Sequence, residues 1–418
     1  MNKRIAVIGG RPAPIHGAKA LGIDVVLVHQ PGDYEEDILN HCEQVVHAPL
    51  DDAAAIIEVL EPLHRERPFE RIITTTEVAG ESTGKVVDHF QLVGVSYKTA
   101  HLLKDKVAMR QLLAEHDLSP VAYRHVTCAQ DAIDFVAEHG RCVLKPAEGV
   151  ASLHIHPCSD ADSATQAWQA LKQAQVSHII IEEYLDGPVV SVDSFSFEGR
   201  HLPIGYSQYR MNDKYVEWEV STPSTDAAKW LPELMDMTCR LLDAVELVEG
   251  PSHSEFVLTE KGPRVLESHA RLAGSGAPEL VRRAFGLDLN RMFLTVPLGI
   301  DELPLQSPQP KAGAAIQFFV PTPGTVRKVE LDLKPEVDVR HTRPGETPRV
   351  FLPFLFELGE AQQAVVIQKH EGDTIPPLDT VADCVSGYVL ATGTSREDAV
   401  RLGDELVQAV HFIMEHKA

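Results

Sequence analysis

The sequence predicts an α/β protein, with an α+β arrangement in its later parts, organised as two or three domains. A chain of 418 residues is longer than one ordinary hydrophobic core accommodates. Short apolar runs alternate with helix-like stretches near the N-terminus, and strand-rich sequence follows. Hydrophobic residues make up 44% of the chain and charged residues 24%, as in a globular protein. This composition argues against long disordered stretches. We therefore expect three regions, at residues 1–100, 101–305 and 306–418.

The first region consists of β-branched runs separated by helical sequence. The runs are "RIAVIGG", "DVVLVH" and "RIITTTE", and "AAAIIEVLEPLHRE" is one of the helix-like stretches between them. This alternation is typical of parallel βα units and predicts a Rossmann-like domain. Gly9 and Gly10 close the first strand, but the rest of the GxGxxG spacing is missing. A tight turn between strand and helix explains these glycines better than a dinucleotide site does.

The second and third regions mix helices with strands. A helix is predicted over "KDKVAMRQLLAEH", and strands over parts of "RCVLKPAEGVAS" and "HIIIEEYLDGPVVSVDSFSFEG". The Pro-rich stretch "DELPLQSPQPKAG" suggests a linker. After it, "AAIQFFVPTPG" and "AVVIQKH" predict strands, and "SREDAVRLGDELVQAVHFIMEH" predicts a final helix capped by Ser395 and Asp398. The third region is thus expected to be a small, β-rich domain.

Charge and cysteine content exclude several classes of protein. A net charge of -23 argues against a sequence-independent grip on nucleic acid or on an anionic membrane. We therefore expect neither as a partner, and an anionic substrate would need a local basic pocket. The six cysteines lack the close spacings of metal knuckles or disulfide scaffolds, which favours free thiols and a cytoplasmic location. No apolar run approaches the length of a membrane span.

Two glutamates in a predicted hairpin suggest a metal site. "HSEFVL" and "RVLESH" flank a turn around Glu260, Lys261 and Gly262, and Gly262 can adopt a positive φ there. If the turn centres on Lys261, three pairs face each other on one side of the hairpin: Val257 and Val265, Glu255 and Glu267, and His253 and His269. Arg271 joins this face if the strand continues that far.

Facing carboxylates destabilise a sheet unless a cation lies between them. Hard oxygen ligands favour magnesium, which commonly accompanies the phosphates of a nucleotide. The alternative is that Glu255 and Glu267 lie at an exposed sheet edge, each with its own Lys or Arg partner.

Three further segments are candidates for a nucleotide site. In "VLKPAEGVAS", Lys145 lies beside a loop with Gly149 and Ser152, so an ammonium and backbone amides could meet one phosphate. Lys106 is a second candidate phosphate contact. For both lysines an ordinary surface position is the alternative. The apolar strand that runs into Glu182, Glu183 and Leu185 resembles a hinge whose backbone and carboxylates could bind an adenine edge.

In this order, the lysine motifs, the acidic hinge and the paired glutamates resemble the ATP-grasp superfamily. "TTTEVAGESTGKVVDHF", "KDKVAMR", "VLKPAEG" and "VLESHARLAGSG" are most similar to the bacterial L-amino acid ligases that make dipeptides, bacilysin synthetase among them. The resemblance covers nearly the whole chain. It implies an ATP-grasp fold, with the ATP-grasp domain at residues 101–305 and a small C-terminal domain that helps to close the site.

The resemblance also implies roles for individual residues. ATP would contact Lys106, Lys145, Ser152, Glu182, Glu183 and Leu185; the metal, Mg²⁺ or Mn²⁺, would bind Glu255 and Glu267; and the amino-acid substrate would contact Glu217, His269, Gly274 and Ser275. Arg271 matches the catalytic arginine of the family, and Glu217 matches the acidic residue that holds the first substrate's α-amino group. A bulky Trp stands at the position of Ser275 in the bacilysin ligase, so Ser275 would leave a wider pocket, unless it only completes a Gly-rich turn.

Three positions depart from the family pattern. His269 stands where many members have Asn, Val189 where a ribose-binding Glu is common, and Val220 where a His often follows the Glu217 motif. These departures concern the ribose contact and the amino-acid pocket, and they leave the magnesium pair unaffected.

The implied reaction joins two amino acids. The carboxylate of the first attacks the γ-phosphate of ATP, and the amine of the second attacks the resulting aminoacyl phosphate. A homodimer is a further expectation. Other ATP-grasp ligases, such as glycinamide ribonucleotide transformylase or a biotin carboxylase subunit, would use the same ATP residues. The alternative to an enzyme is a regulatory protein that has the same fold and binds ATP without turning it over.

Overall fold

The computed structural model describes residues 2–30, 36–149, 153–344 and 352–415. The N-terminal region is a parallel sheet with the order β3-β2-β1-β4. Its strands are β1 (Arg4–Ile8), β2 (Asp24–His29), β3 (Gln44–His47) and β4 (Arg71–Thr74). Its helices are α1 (Pro12–Ala20), α2 (Ala53–Glu66) and α3 (Gly80–Phe90), with a short 3-10 helix at Glu36–His41. The predicted alternation of parallel strands and helices is confirmed.

The carboxyl ends of β1 and β4 are neighbours in this sheet. Gly9, with φ of 63°, makes the tight turn from β1 into α1. The segment after β4 places Glu77 at the same edge, because parallel strands present their carboxyl ends together. This edge faces the rest of the chain.

The second layer is a four-stranded antiparallel sheet with the order β5-β8-β6-β7. Its strands are β5 (Tyr123–Val126), β6 (Cys142–Pro146), β7 (His156–Cys158) and β8 (Ile179–Glu183), and the helices of this part are α4 (Tyr97–Lys104), α5 (Lys106–Glu115), α6 (Ala129–His139) and α7 (Ala161–Gln173). The predicted helix over "KDKVAMRQLLAEH" is broken at Asp105, whose carboxylate caps α5 by accepting from the backbone of Val107 and Ala108 at 2.8 and 3.2 Å. Lys106 therefore lies in the first turn of α5.

A nine-stranded sheet forms the largest part of the protein, with the order β13-β12-β9-β10-β11-β14-β19-β17-β16. Its strands are β9 (Val189–Phe197), β10 (Arg200–Met211), β11 (Glu217–Thr222), β12 (Gly250–Thr259), β13 (Gly262–His269), β14 (Gly313–Phe318), β16 (Asp338–His341), β17 (Gln363–Ile367) and β19 (Gly387–Gly393). The helices are α8 (Leu231–Ala244), α9 (Ala277–Phe285), α10 (Leu289–Thr295) and α11 (Arg396–Gln408), with 3-10 helices at Asp226–Trp230 and Val381–Asp383. Neighbouring strands are antiparallel except β16 and β17.

The C-terminal third extends this sheet instead of forming a detached layer. β14 pairs with β11, so that Ile316 lies opposite Val220, and the Pro-rich stretch before it packs against the body through Lys311 N, which donates to Ala284 O at 2.7 Å. The division at residues 305 and 306 stays a prediction.

A three-stranded sheet, β18-β15-β20, completes the C-terminal part. Its strands are β15 (Gly324–Leu331), β18 (Thr374–Ile375) and β20 (Val410–Met414). Ser395 caps α11 as predicted, since its hydroxyl accepts from Asp398 N at 3.2 Å. The predicted helix is too long, however, because α11 ends at Gln408 and β20 pairs with β15.

Candidate active site

The hairpin of β12 and β13 places the two predicted metal ligands opposite each other. Glu255 pairs with Glu267, and His253 pairs with His269, at the edge of the nine-stranded sheet. Both pairings were predicted. The expected pairing of Val257 with Val265 is wrong, because Val257 lies opposite Arg264.

A bulge explains both outcomes. The turn has two residues, so Thr259 pairs with Gly262, whose φ is 101°. That register alone would place Glu255 opposite Leu266. Leu266 is instead one extra residue in β13, between the pairs Phe256–Val265 and Glu255–Glu267, and it shifts Glu267 into position. Val265 consequently packs in the hydrophobic core rather than on the site face.

Each of the paired glutamates has cationic or imidazole neighbours. Glu267 contacts Lys106 Nζ at 3.1 Å and His269 Nε2 at 3.2 Å. Burial raises the pKa of Glu267, but the charge of Lys106 outweighs it and holds this pKa well below the usual range. Lys106 is only 7% exposed, so the partner of Glu267 is a buried lysine and not the surface lysine that the alternative interpretation required.

Glu255 is oriented by a buried relay that the sequence did not reveal. His253 contacts Asp193 Oδ1 through Nδ1 at 2.9 Å and Glu255 Oε1 through Nε2 at 3.2 Å. Burial opposes the charged imidazole, but Asp193 and Glu255 raise the pKa of His253 to about 10. The sequence signal for Asp193 was a carboxylate in the middle of an apolar strand, where a buried acid requires a partner.

The two predicted phosphate lysines reach the site from different elements. Lys106 Nζ also donates to Gly149 O at 3.0 Å, which ties the start of α5 to the glycine loop. Lys145, on β6, contacts Glu182 Oε2 at 2.6 Å. Glu182 is 3% exposed and is also paired with Arg110. Burial raises the pKa of Glu182, but Arg110 and Lys145 lower it to about 2, so this carboxylate is ionised.

Glu183 and Leu185 are the remaining residues of the predicted hinge. The Glu183 carboxylate accepts from Ala122 N at 2.9 Å, which anchors β8 to the start of β5. Leu185 is half-buried and is the second residue after the end of β8. The Arg141 guanidinium lies 3.6 Å from the centre of the Tyr184 ring. Ser152 lies outside the described residues.

Arg271 lies beyond the end of β13 and contacts the N-terminal sheet. Its Nε and Nη2 atoms donate to Glu77 Oε2 at 3.1 and 2.6 Å. His269 Nδ1 is 3.6 Å from Glu77 Oε1. Burial raises the pKa of Glu77, but Arg271 and His269 more than compensate and lower it. Glu77 was missing from the predicted site residues, although the "TTTE" motif that contains it was part of the resemblance.

An open cavity of about 2010 Å³ connects these groups. Its lining includes Glu77, Glu217, His253, Glu255, Glu267, His269, Arg271, Gly274 and Ser275. Ser275 Oγ donates to Glu217 Oε2 at 3.4 Å. Burial and the charge of the neighbouring Glu255 carboxylate raise the pKa of Glu217 to about 8. Glu217, Glu255 and Glu267 thus make this part of the cavity wall rich in acidic groups. Such a wall suits a cationic group or a metal ion.

The Gly-rich turn around Ser275 is also present. Ser275 and Gly276 have φ of 49° and 78°, and a side chain at Gly276 would collide with Ile316 Cδ1 at 2.3 Å. Ser275 therefore both completes a turn and lines the cavity. Val220, one of the departures from the family pattern, is fully buried in the core.

Two family models match the chain. An ATP-grasp N-terminal domain matches residues 15–88, and an ATP-grasp domain matches residues 139–279. Together they cover about half of the chain. Most of the candidate site residues lie in the second match, whereas Lys106 lies between the two.

Individual relatives are similar at low identity. The alanine–anticapsin ligase of Bacillus subtilis (strain 168) is 22% identical over 68% of this chain and 67% of its own length. An L-arginine-specific L-amino acid ligase of Bacillus subtilis is 23% identical over 62% of this chain and 65% of its own length. The matched part thus spans about two thirds of these relatives.

Solved structures are similar over nearly the whole chain. The L-amino acid ligase from Bacillus licheniformis superposes with a TM-score of 0.76 at 20% identity, and the alignment covers 99% of both chains. At this identity the likeness shows the fold, which is the predicted ATP-grasp fold. Separately, within the described residues no helix is both long enough and apolar enough to cross a membrane.

Proposed function

Because the chain belongs to the ATP-grasp superfamily, we propose that it is an ATP-dependent L-amino acid ligase that joins two amino acids into a dipeptide. One observation carries the proposal: the facing pair Glu255 and Glu267, the guanidinium of Arg271 and the half-buried Glu217 line the same cavity. These groups match the requirements of phosphoryl transfer to a carboxylate in a substrate that also has an amino group.

The paired glutamates fit a magnesium site. Two carboxylates face each other across a strand pair, with side chains 14% and 27% exposed on the cavity wall, and oxygen donors of this kind suit Mg²⁺ or Mn²⁺. The relay from Asp193 through His253 fixes the orientation of Glu255, as hydrogen-bonded neighbours commonly do for metal ligands. A bound magnesium would neutralise negative charge on the phosphates of ATP.

Other residues of this chain would bind and orient the substrates. Lys106 and Lys145 supply cations next to the glycine loop and the hinge, so they would hold ATP phosphates. Glu217 would accept the α-amino group of the first amino acid, whose positive charge would compensate the acidic excess beside Glu255. Ser275 contacts Glu217 and would border the side chain of that amino acid.

The reaction would proceed in two steps. The carboxylate of the first amino acid attacks the γ-phosphorus of ATP, and ADP leaves. The amine of the second amino acid then attacks the activated carbonyl, loses a proton, and phosphate leaves with the former carboxylate oxygen. Arg271 would stabilise the charge on the transferred phosphoryl group and on the oxyanion of the second step.

The decisive experiment is phosphate release from ATP with the twenty amino acids, singly and in pairs, with mass analysis of products. We expect release that requires two amino acids or two molecules of one, and a product whose mass is that of a dipeptide. Glu267→Gln, which should release phosphate far more slowly, serves as the control variant. Release that requires bicarbonate or a ribonucleotide amine instead of an amino acid would contradict the proposal, as would ATP binding without any turnover.

A further inference from the structure

Arg110 is the most deeply buried cation next to the candidate site, and the reaction outlined above gives it no role. It lies on α5, one turn after Lys106, and is 2% exposed. A guanidinium carries five N–H donors, and burying it is costly unless acceptors surround it. The acceptors of Arg110 therefore indicate why it is there.

These acceptors come from two different strands. The Nε atom of Arg110 is paired with the Glu182 carboxylate at the end of β8. Its Nη1 atom donates to Val265 O at 2.7 Å, and its Nη2 atom contacts Leu266 O at 3.5 Å. Arg110 thus joins the helix of Lys106, the hinge strand and the strand that carries Glu267.

The two carbonyls belong to the bulge in β13. β13 is an edge strand, so the backbone groups on its outer side have no strand partner, and the bulge takes further groups out of the regular ladder. Such groups need other partners when they are buried. Arg110 supplies the donors, and Ser119 Oγ accepts from Val265 N at 2.7 Å. Ser119 is 4% exposed and has φ of 46°, so the chain adopts a disfavoured conformation where it presents this hydroxyl.

We propose that Arg110 is a positioning residue which, together with Ser119, holds the β13 bulge and thereby sets Glu267 opposite Glu255. Without the extra residue in β13, the two-residue turn would place Leu266 opposite Glu255 and move the carboxylate of Glu267 out of register. Arg110 acts through the strand backbone and touches no substrate. The inference rests on the proposed function in so far as Glu255 and Glu267 bind the metal.

The test compares Arg110→Lys, Ser119→Ala and the matched control Arg124→Lys. Lysine keeps the charge of Arg110 but cannot reach the Glu182 carboxylate and both carbonyls from one planar group. Ser119→Ala leaves all charges unchanged and removes only the acceptor for Val265 N. Arg124 forms a surface ion pair with Glu138, so its replacement tests a conservative Arg-to-Lys change away from the bulge.

The readouts are the Mg²⁺ concentration for half-maximal phosphate release and the affinity of the ADP complex for Mn²⁺, followed by electron paramagnetic resonance. We expect both bulge variants to require about tenfold more metal, the effect typical of groups that orient metal ligands, and Arg124→Lys to match the wild type. ATP affinity measured in EDTA should be unchanged in Ser119→Ala.

Several results would overturn the inference. One is a metal requirement in Ser119→Ala and Arg110→Lys equal to that of the wild type. Another is a loss of ATP affinity in Arg110→Lys that is the same with and without metal, because Arg110 would then act only through Glu182. If Arg110→Lys does not fold, Ser119→Ala decides alone. The Mn²⁺ measurement needs no turnover, so a failure of the proposed ligase reaction is distinguishable from a failure of this inference.

Discussion

Arg271 donates two hydrogen bonds to Glu77, although the residues lie 194 positions apart in the chain. The contact joins the end of β13 to the carboxyl edge of the N-terminal sheet. Since both side chains line the cavity and are 20% and 28% exposed, the ion pair orients the guanidinium without removing it from the site. This arrangement presents a preoriented cation to a charge that develops during the reaction.

Arg271→Ala should reduce turnover by about 100- to 1000-fold and change ATP affinity far less, because a group that stabilises transition-state charge contributes little to ground-state binding. Arg271→Lys should restore activity only in part, since lysine lacks the planar pair of donors. Single-turnover kinetics and ATP binding measure the two effects separately, with Arg264→Ala on β13, the strand that precedes Arg271, as control. A collapse of ATP affinity with normal turnover of bound ATP would make Arg271 a binding residue.

Glu267→Gln should lower turnover by about two orders of magnitude or more while the fold persists, because one carboxylate of the metal pair becomes neutral. The remaining activity should need a higher Mg²⁺ concentration. Phosphate release over a range of Mg²⁺ measures both effects. Glu260→Gln, in the exposed turn of the same hairpin, should behave as wild type. Normal turnover in Glu267→Gln would remove the metal assignment.

Ser275→Trp should narrow the range of first amino acids that the protein accepts. Ser275 lines the cavity beside Glu217, and overfilling a packed pocket costs about 1–3 kcal/mol, a cost that increases with the size of the substrate side chain. Product profiles of wild type, Ser275→Ala and Ser275→Trp should show large first substrates lost before Ala or Gly. An equal loss for small and large substrates would mean that Ser275 serves only the turn.

The ion pairs of Glu182 should make stability sensitive to acid. The pKa of Glu182 is lowered to about 2 in the folded protein, from an ordinary value of 4.5. Its contribution to the free energy of unfolding is therefore fully present above pH 4.5 and is lost as the pH falls towards 2. Glu182→Gln should remove this pH dependence and should destabilise the protein by about 3–5 kcal/mol at neutral pH, because Arg110 and Lys145 lose a buried partner.

Urea unfolding between pH 2 and pH 7 measures this effect, with the surface variant Glu138→Gln as control. A protein with several sheets can unfold in more than one transition, so the comparison uses the midpoint of the transition that exposes Glu182. If the unfolding midpoint of Glu182→Gln falls at low pH as steeply as that of the wild type, other carboxylates control acid unfolding.

The sequence by itself determined the features that depend on local pattern. Alternating β-branched and helical runs predicted the parallel sheet of β1 to β4, and the turn residues between two apolar runs predicted the hairpin of β12 and β13. Ser395 was recognisable as a helix cap from its neighbours alone. Period, turn residues and caps act over a few positions, so a single sequence contains enough information to predict them.

Only the tertiary structure decided which distant groups complete these local features. Arg110 and Ser119 bind the backbone of Val265 beside the bulge at Leu266, and the segment after α11 forms β20 because β15 offers it a strand edge, although its sequence continued the predicted helix. Glu77 and Asp193 were missed for the same reason. A buried charge or an unpaired backbone group requires a partner, but the chain's path through space determines which residue supplies it.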